Sequence, residues 1–403
     1  MNSKYIVYVG NFDFSEKIAA GKRVLGISCA LRDLGYNVIL IGADKETKNN
    51  IDTINTKHIV DGFETYMLPY PLSQKDWISY KKQYSRVINL LEKQNIIDNL
   101  HAVIIYGSPC LSLWGYKLFK WCKKREIKLI TDVVDWIAGS SGSLLFRIVK
   151  WMDTTYSKTY LNKRVDGVIA ISRFLADYYR SKNCRVIEIP PITDIYKYKF
   201  IENSNHTSPM TKLVYVGMPF GKQTKISTKK RYKDRLDIVI ELLGKVREKT
   251  DNFIFNIYGI TKNEYLNSLP EHANILKKLE KNVFFHGKIA NDLAVQKIHE
   301  SDFSILLRDN NIVSTAGFPT KVTESITCGT PVITNKTSNL EEYIIDGVNG
   351  FWLENFIVDG VKKLELIIGL SQSKKIEMKN NCMESRIFHY QNFEIKLNEF
   401  MEK

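Results

Sequence analysis

The sequence predicts an α/β protein built from two doubly wound parallel-sheet domains. Three observations carry the prediction. Continuous apolar runs of four to seven residues alternate with amphipathic stretches of helical period along most of the 403 residues. The pattern breaks once, at Pro190-Pro191, and restarts after a polar, aperiodic stretch. The composition, 44% hydrophobic and 25% charged, is that of a globular chain with apolar material for two cores.

The first series opens with a buried strand, Tyr5–Val9, a helix over Lys22–Leu34 stopped by Gly35, and a strand Asn37–Ile41. Strands follow at Ala102–Tyr106, Lys128–Asp132, Gly167–Ile171 and Arg185–Ile189, with helices at Trp77–Lys93, Leu113–Arg125, Phe146–Asn162 and Ser172–Ser181 between them. This gives one domain over residues 1–190, and residues 191–211 read as a linker. The second series, residues 212–375, alternates the strands Leu213–Val216, Phe253–Tyr258, Val283–His286, Phe303–Leu307 and Val332–Thr334 with helices at Leu236–Lys249, Asn263–Leu269, Ala290–Glu300 and Pro319–Cys328. Residues 376–403 are expected as helices that pack back on the N-terminal domain. In such sheets ligands bind beyond the carboxyl ends of the strands, so a cleft between two facing domains is the expected site.

Several function classes are disfavoured. The run Gly10-Asn11-Phe12-Asp13 carries no dinucleotide-binding glycine fingerprint, and Walker A, GxSxG and HExxH patterns are missing from the sequence. The six cysteines form no CxxC pair, which fits reduced thiols rather than zinc or redox chemistry. No signal peptide or membrane-spanning run is read, so the expected location is cytoplasmic. Lys and Arg number 58 against 44 Asp and Glu, a net charge of +14, of which +9 falls in residues 101–200. A face that meets an anionic partner explains that concentration, as does a solvated surface.

The chemistry concentrates in Gly317-Phe318-Pro319-Thr320-Lys321-Val322-Thr323-Glu324 and the following Cys328-Gly329-Thr330-Pro331. A proline-opened helix offers unpaired N–H groups and a positive dipole end to a diphosphate, and Glu324 one turn later suits the vicinal hydroxyls of a ribose. Gly217 ends a strand ahead of a basic run from Lys222 to Lys233, and Arg308 follows another strand at the same sheet edge. Such cations are placed to neutralise a departing phosphate. No Asp-x-Asp pair that would hold a divalent ion is present, so neither cofactor nor metal is expected.

These blocks, with Val283-Phe284-Phe285-His286-Gly287, Asp346-Gly347-Val348-Asn349-Gly350, Ala20-Gly21-Lys22-Arg23 and Asp166-Gly167-Val168-Ile169, resemble the family 4 (group 1) retaining glycosyltransferases of the GT-B fold, polysaccharide-assembly type. The resemblance implies a nucleotide diphosphate-sugar on the second domain and an acceptor approaching from the first. It implies donor contacts from Gly217, Lys222, Lys233, His286, Gly287, Lys288, Arg308, Phe318, Thr320, Lys321 and Glu324. Lys233 and Arg308 would stabilise the leaving diphosphate, and Gly21, Lys22 and Asp135 would lie on the acceptor side. The first glutamate of the family's Glu-x7-Glu motif falls at Ala316, so the sequence departs from the family there. For activating the acceptor hydroxyl Asp132 is chosen, at a strand's carboxyl end; a turn carboxylate is the other reading of the same residue.

The resemblance further implies retention, no metal, and a lipid-linked or oligosaccharide acceptor in bacterial surface polysaccharide assembly, lipopolysaccharide O-antigen or capsule. A nucleotide-sugar epimerase of the same fold and a non-catalytic partner subunit are the competing readings; nucleic acid is not an expected partner. Residues 111–128 form a basic amphipathic helix with Trp114 and Trp121, and residues 144–152 are more broadly apolar than one core stripe requires. Both suit an anionic membrane surface, and both suit helices covering their own sheet.

Overall fold

The computed structural model describes residues 4–14, 19–47, 54–73, 76, 83–107, 112–136, 144–198, 209–220, 232–354 and 359–403, without the side chains of residues 112, 113, 145 and 146. The chain divides into two compact units. Unit 1 comprises Met1–Asp194, Thr315–Phe318 and Phe388–Lys403, and unit 2 comprises Ile195–Ser314 and Pro319–Ile387.

Unit 1 holds β1 (Tyr5–Gly10), α1 (Ala19–Asp33), β2 (Asn37–Asp44), β3 (His58–Val60), β4 (Phe63–Pro69), α2 (Gln83–Lys93), β5 (Leu100–Tyr106), α3 (Ser112–Lys124), β6 (Lys128–Val133), α4 (Leu144–Tyr156), β7 (Gly167–Ala170), α5 (Arg173–Arg180) and β8 (Val186–Glu188). The strand order is β3-β4-β2-β1-β5-β6-β7-β8, parallel throughout except for the β3–β4 pair. Successive residues serve opposite faces. Ile6, Tyr8, Leu40, Ile104 and Ile130 pack under α1, while Val7, Val9, Ile41, Val103 and Leu129 pack under α2 and α3 with Leu90, Trp114 and Leu118. A sheet covered on both sides needs apolar residues at every position, which is why its strands read as unbroken apolar runs. The β3–β4 hairpin falls outside the sequence expectation. Its turn residues Asp61 and Gly62 both take positive φ, 51° and 82°, the pairing that a two-residue hairpin turn requires.

Unit 2 holds β9 (Thr211–Val216), α6 (Leu236–Val246), β10 (Phe253–Tyr258), α7 (Lys262–Ser268), α8 (Ala273–Lys278), β11 (Val283–Gly287), α9 (Asn291–His299), β12 (Phe303–Leu306), α10 (Ile312–Ala316, crossing into unit 1 at Thr315), α11 (Thr320–Thr327), β13 (Val332–Thr334), β14 (Gly350–Trp352), α12 (Gly360–Ile368) and α13 (Gln372–Ser385). The order β11-β10-β9-β12-β13-β14, all parallel, runs one way from β9 to β11 and then restarts on the other side of β9. The switch between β9 and β12 opens a crevice at their carboxyl ends.

After Ile387 the chain returns to unit 1, where α14 (Glu394–Glu402) buries Leu397, Phe400 and Met401 against the same face as α1. The sequence-based boundaries differ in detail. Ile192 is buried in the core of unit 1, and residues 376–387 stay with unit 2.

Candidate functional site

At the carboxyl ends of β9 and β12, one carboxylate organises two cations. Asp234 is 1% exposed; its Oδ1 accepts from Arg308 Nε at 3.1 Å, and its Oδ2 accepts from Tyr215 Oη at 2.8 Å and from Lys321 Nζ. Lys321 Nζ also donates to Tyr215 Oη at 2.9 Å and lies 4.4 Å from the Tyr215 ring centre. Burial alone would raise the Asp234 pKa, but Lys321 and Arg308 outweigh it and hold the group at about 2. Burial pulls the Lys321 ammonium down, Asp234 opposes that, and Arg308 and Lys233 push the same way as burial. Two cations thus share one anion, which leaves positive charge over at the crevice.

Each partner is fixed by the element that carries it. Tyr215 lies in β9. Arg308 leaves β12 with its backbone clamped by Asn335: Arg308 N donates to Asn335 Oδ1 at 2.9 Å, and Asn335 Nδ2 returns a bond to Arg308 O at 2.9 Å. Lys321 is the second residue of α11, whose N-cap is Pro319. Gly217, at φ 142°, is what lets Lys321 reach the cluster, since a Cβ there would fall 2.3 Å from Lys321 Nζ.

Glycines also end the two strands on one side of β9, Gly259 after β10 and Gly287 in β11. Gly217 N donates to Tyr258 O, and Gly259 N donates to Gly287 O at 2.7 Å. A Cβ on Gly259 would meet Gly217 O at 2.5 Å. Gly287, Gly259 and Gly217 therefore form a side-chain-free ledge that leads to Lys321. His286 sits beside this ledge, stacked on Tyr258 at 4.5 Å and bonded through Nε2 to Asn256 Oδ1 at 2.8 Å. Lys288 and Lys233 are exposed, and Thr320 and Glu324 lie partly buried on α11. Glu324 shares a small cavity with Lys321, Val216 and Ser304. Lys222 lies outside the described residues.

The structure thus gathers Gly217, Gly287, Arg308 and Lys321, and adds Asp234, Tyr215, Asn335 and Gly259, which the sequence reading missed. Gly259 carried a usable signal, a strand-ending glycine like Gly217. Asp234 carried none, because a lone carboxylate ahead of a helix reads as an ordinary first-turn acid. Phe318 is not part of this group; it is buried in unit 1 beside Phe388, with ring centres 6.0 Å apart.

In unit 1 the expectation for Asp132 requires correction. Its carboxylate is 0% exposed and fully engaged: Arg23 Nη2 donates to Oδ1 at 2.7 Å, Arg23 Nε donates to Oδ2 at 2.9 Å, and Tyr8 Oη donates to Oδ2. Arg23 Nη1 caps Ile189 O at 2.8 Å and Pro190 O at 3.1 Å. A carboxylate so enclosed has no lone pair free for a substrate hydroxyl; it pins α1 to β6 and to the end of the β8 segment. The exposed carboxylate beyond β6 is Asp135. Gly21 is buried where a Cβ would fall 2.3 Å from Asp13 O, and Lys22 is partly exposed beside it. Ala316 is fully buried and its carbonyl accepts from Ser172 Oγ at 2.6 Å.

Much of the crevice of unit 2 lies within a recognisable sequence region, with Tyr215 and Gly217 just ahead of it. Residues 222–381 match the family model of glycosyl transferases, group 1. That region contains Asp234, Arg308, Lys321 and Glu324. The whole chain shares its fold with GT-B glycosyltransferases. Sucrose-phosphate synthase from Thermosynechococcus elongatus is 12% identical with a TM-score of 0.67, covering 99% of this chain and 98% of that one. A glycosyltransferase from Rickettsia africae is 14% identical with a TM-score of 0.65, covering 100% and 98%. Anabaena HepE, solved in complex with UDP and glucose, is 13% identical with a TM-score of 0.60, covering 99% of each chain. No curated protein sequence matches the chain.

Proposed function

We propose that the protein is a nucleotide-sugar-dependent glycosyltransferase that moves a hexosyl residue to a lipid-linked glycan during assembly of a bacterial surface polysaccharide, lipopolysaccharide O-antigen or capsule, with retention at the anomeric carbon. The observation that carries the reading is the pairing of Lys321 and Arg308 through Asp234 at the switch between β9 and β12. Breaking a glycosidic bond to a diphosphate develops negative charge on the leaving group and positive charge on the sugar. Two cations held in place by a buried carboxylate meet the first need without reorganising during the reaction. They also take the part that a divalent ion would otherwise play, so the reading calls for no metal and no cofactor.

The glycine ledge Gly217–Gly259–Gly287 gives a donor's backbone-lined approach to the same point. Glu324 suits the ribose hydroxyls, Thr320 and the N-terminus of α11 suit the diphosphate, and His286 to Lys288 suit the base. On the acceptor side Asp135 takes the place first assigned to Asp132, with Gly21 and Lys22 nearby in sequence to the α1 start. The test is thermal stabilisation by a panel of UDP-, GDP- and ADP-sugars, followed by nucleoside diphosphate release on addition of lipid-linked acceptor. Stabilisation by one donor, lost in Lys321→Ala and Arg308→Ala, is the expected outcome. A protein that no donor stabilises would sink the proposal.

A further inference from the structure

Helix α4 turns large apolar side chains outward. Among its described side chains the buried one is the polar Thr154, and the π-type turn that continues it, Ser157–Leu161, buries Ser157 and Leu161. Thr154 Oγ1 satisfies itself on Lys150 O at 3.0 Å and Trp151 O at 3.1 Å. Leu144, Ile148, Val149, Trp151 and Met152 are instead 45–72% exposed. Leu144, Ile148 and Met152 stand at i, i+4 and i+8, with Trp151 beside the same line. A contiguous exposed apolar strip of this kind marks a contact surface.

The surroundings give the chemistry of the partner. Residues 144–164 contain five Lys or Arg and one Asp, and residues 112–125 of the neighbouring α3 contain five and no acid. Tyr116, Tyr156 and Tyr160 cluster between them, with ring centres 4.8–6.4 Å apart. Lys120 lies over Tyr116 at 4.8 Å and Arg164 over Tyr160 at 3.6 Å. Apolar side chains with Trp at the centre, a tyrosine belt and a basic surround match the depth profile of a lipid headgroup layer. A second copy of this chain would instead bring the same cations face to face, which disfavours self-association. No helix among the described residues is long and apolar enough to cross a membrane.

We propose that α4 docks in the headgroup region of an anionic bilayer, with Leu144, Ile148, Trp151 and Met152 inserted and the α3 and α4 cations on the phosphates. The docking is independent of the transfer reaction. The test is flotation of the full chain with vesicles of phosphatidylcholine alone and with about 30% phosphatidylglycerol. Wild type is expected to float with the anionic vesicles at least about tenfold more than with the neutral ones. The double variant Ile148→Asp/Met152→Asp and the double variant Arg147→Glu/Lys150→Glu should each lose about tenfold of that binding. Arg147, Ile148 and Met152 are exposed and Lys150 is partly so, and both variants should keep the wild-type Tm and nucleotide-sugar binding. Wild type that stays unbound, floats equally with both vesicles, or is matched by the variants would overturn the proposal. So would a wild-type dimer, seen by light scattering, that the Ile148→Asp/Met152→Asp change dissociates. Failure of the donor screen leaves the flotation result untouched, so the two proposals fail separately.

Discussion

Asp234 holds its place by charge, and its protonation therefore sets a pH dependence. Its folded pKa of about 2 lies below the unfolded value, so its stabilisation is complete above about pH 4 and is lost as pH falls toward 2. At about 1.4 kcal/mol per unit the full effect is about 2 kcal/mol, of which about 1 kcal/mol is gone by pH 3. Urea unfolding of wild type and Asp234→Asn at pH 6 and pH 3 should show the gap between them narrow by about that amount. Gly217→Ala introduces both a strained φ and a Cβ against Lys321, and should lower donor affinity about tenfold, as titration calorimetry would show. Asp132→Asn leaves Arg23 buried without its partner and should cost about 3 kcal/mol in denaturant while donor affinity stays unchanged. A variant of full stability whose turnover collapsed would restore Asp132 as a base. Arg308, Lys321 and Gly217 were legible because cations and a glycine at strand ends have few other uses. The enclosure of Asp132 was not, because its partners Tyr8 and Arg23 stand 124 and 109 residues away.

At the scale of elements, α14 completes a core that β1 begins. Leu397 is fully buried against the α1 side of the sheet, and Leu397→Ala should destabilise unit 1 by about 3 kcal/mol in a denaturant titration. Periodicity revealed the parallel strands because both sheet faces are covered, and it revealed α1, α3, α6 and α11 by their stripes. It missed β3 and β4, where the informative feature was the Asp61-Gly62 turn and not an apolar run. The stretch over residues 144–152 is too apolar for a single core stripe; no sequence rule says which side of such a helix faces out, and the exposure of Leu144, Ile148, Trp151 and Met152 supplies that.

For the whole molecule, the two units carry their own reporters. Cys29 and Cys122 are buried in unit 1, and Cys328 and Cys382 in unit 2; burial lifts Cys122 and Cys382 to about 12. In pulsed thiol labelling read by mass spectrometry, the first pair should label together and the second pair together, each at the opening rate of its unit. Four independent labelling rates would show that the units do not open as wholes. The two-unit plan was legible from the restart of the strand–helix pattern, and a return of the C-terminal helices was expected over residues 376–403; where it starts, at Phe388, is set by contacts with α1 and β8 that no local pattern encodes. That return has a consequence for synthesis. A ribosome delivers every residue of unit 2 before it delivers Leu397, Phe400 and Met401, so the half of the protein that starts last is the first able to close its core, and the half that starts first must wait for α14.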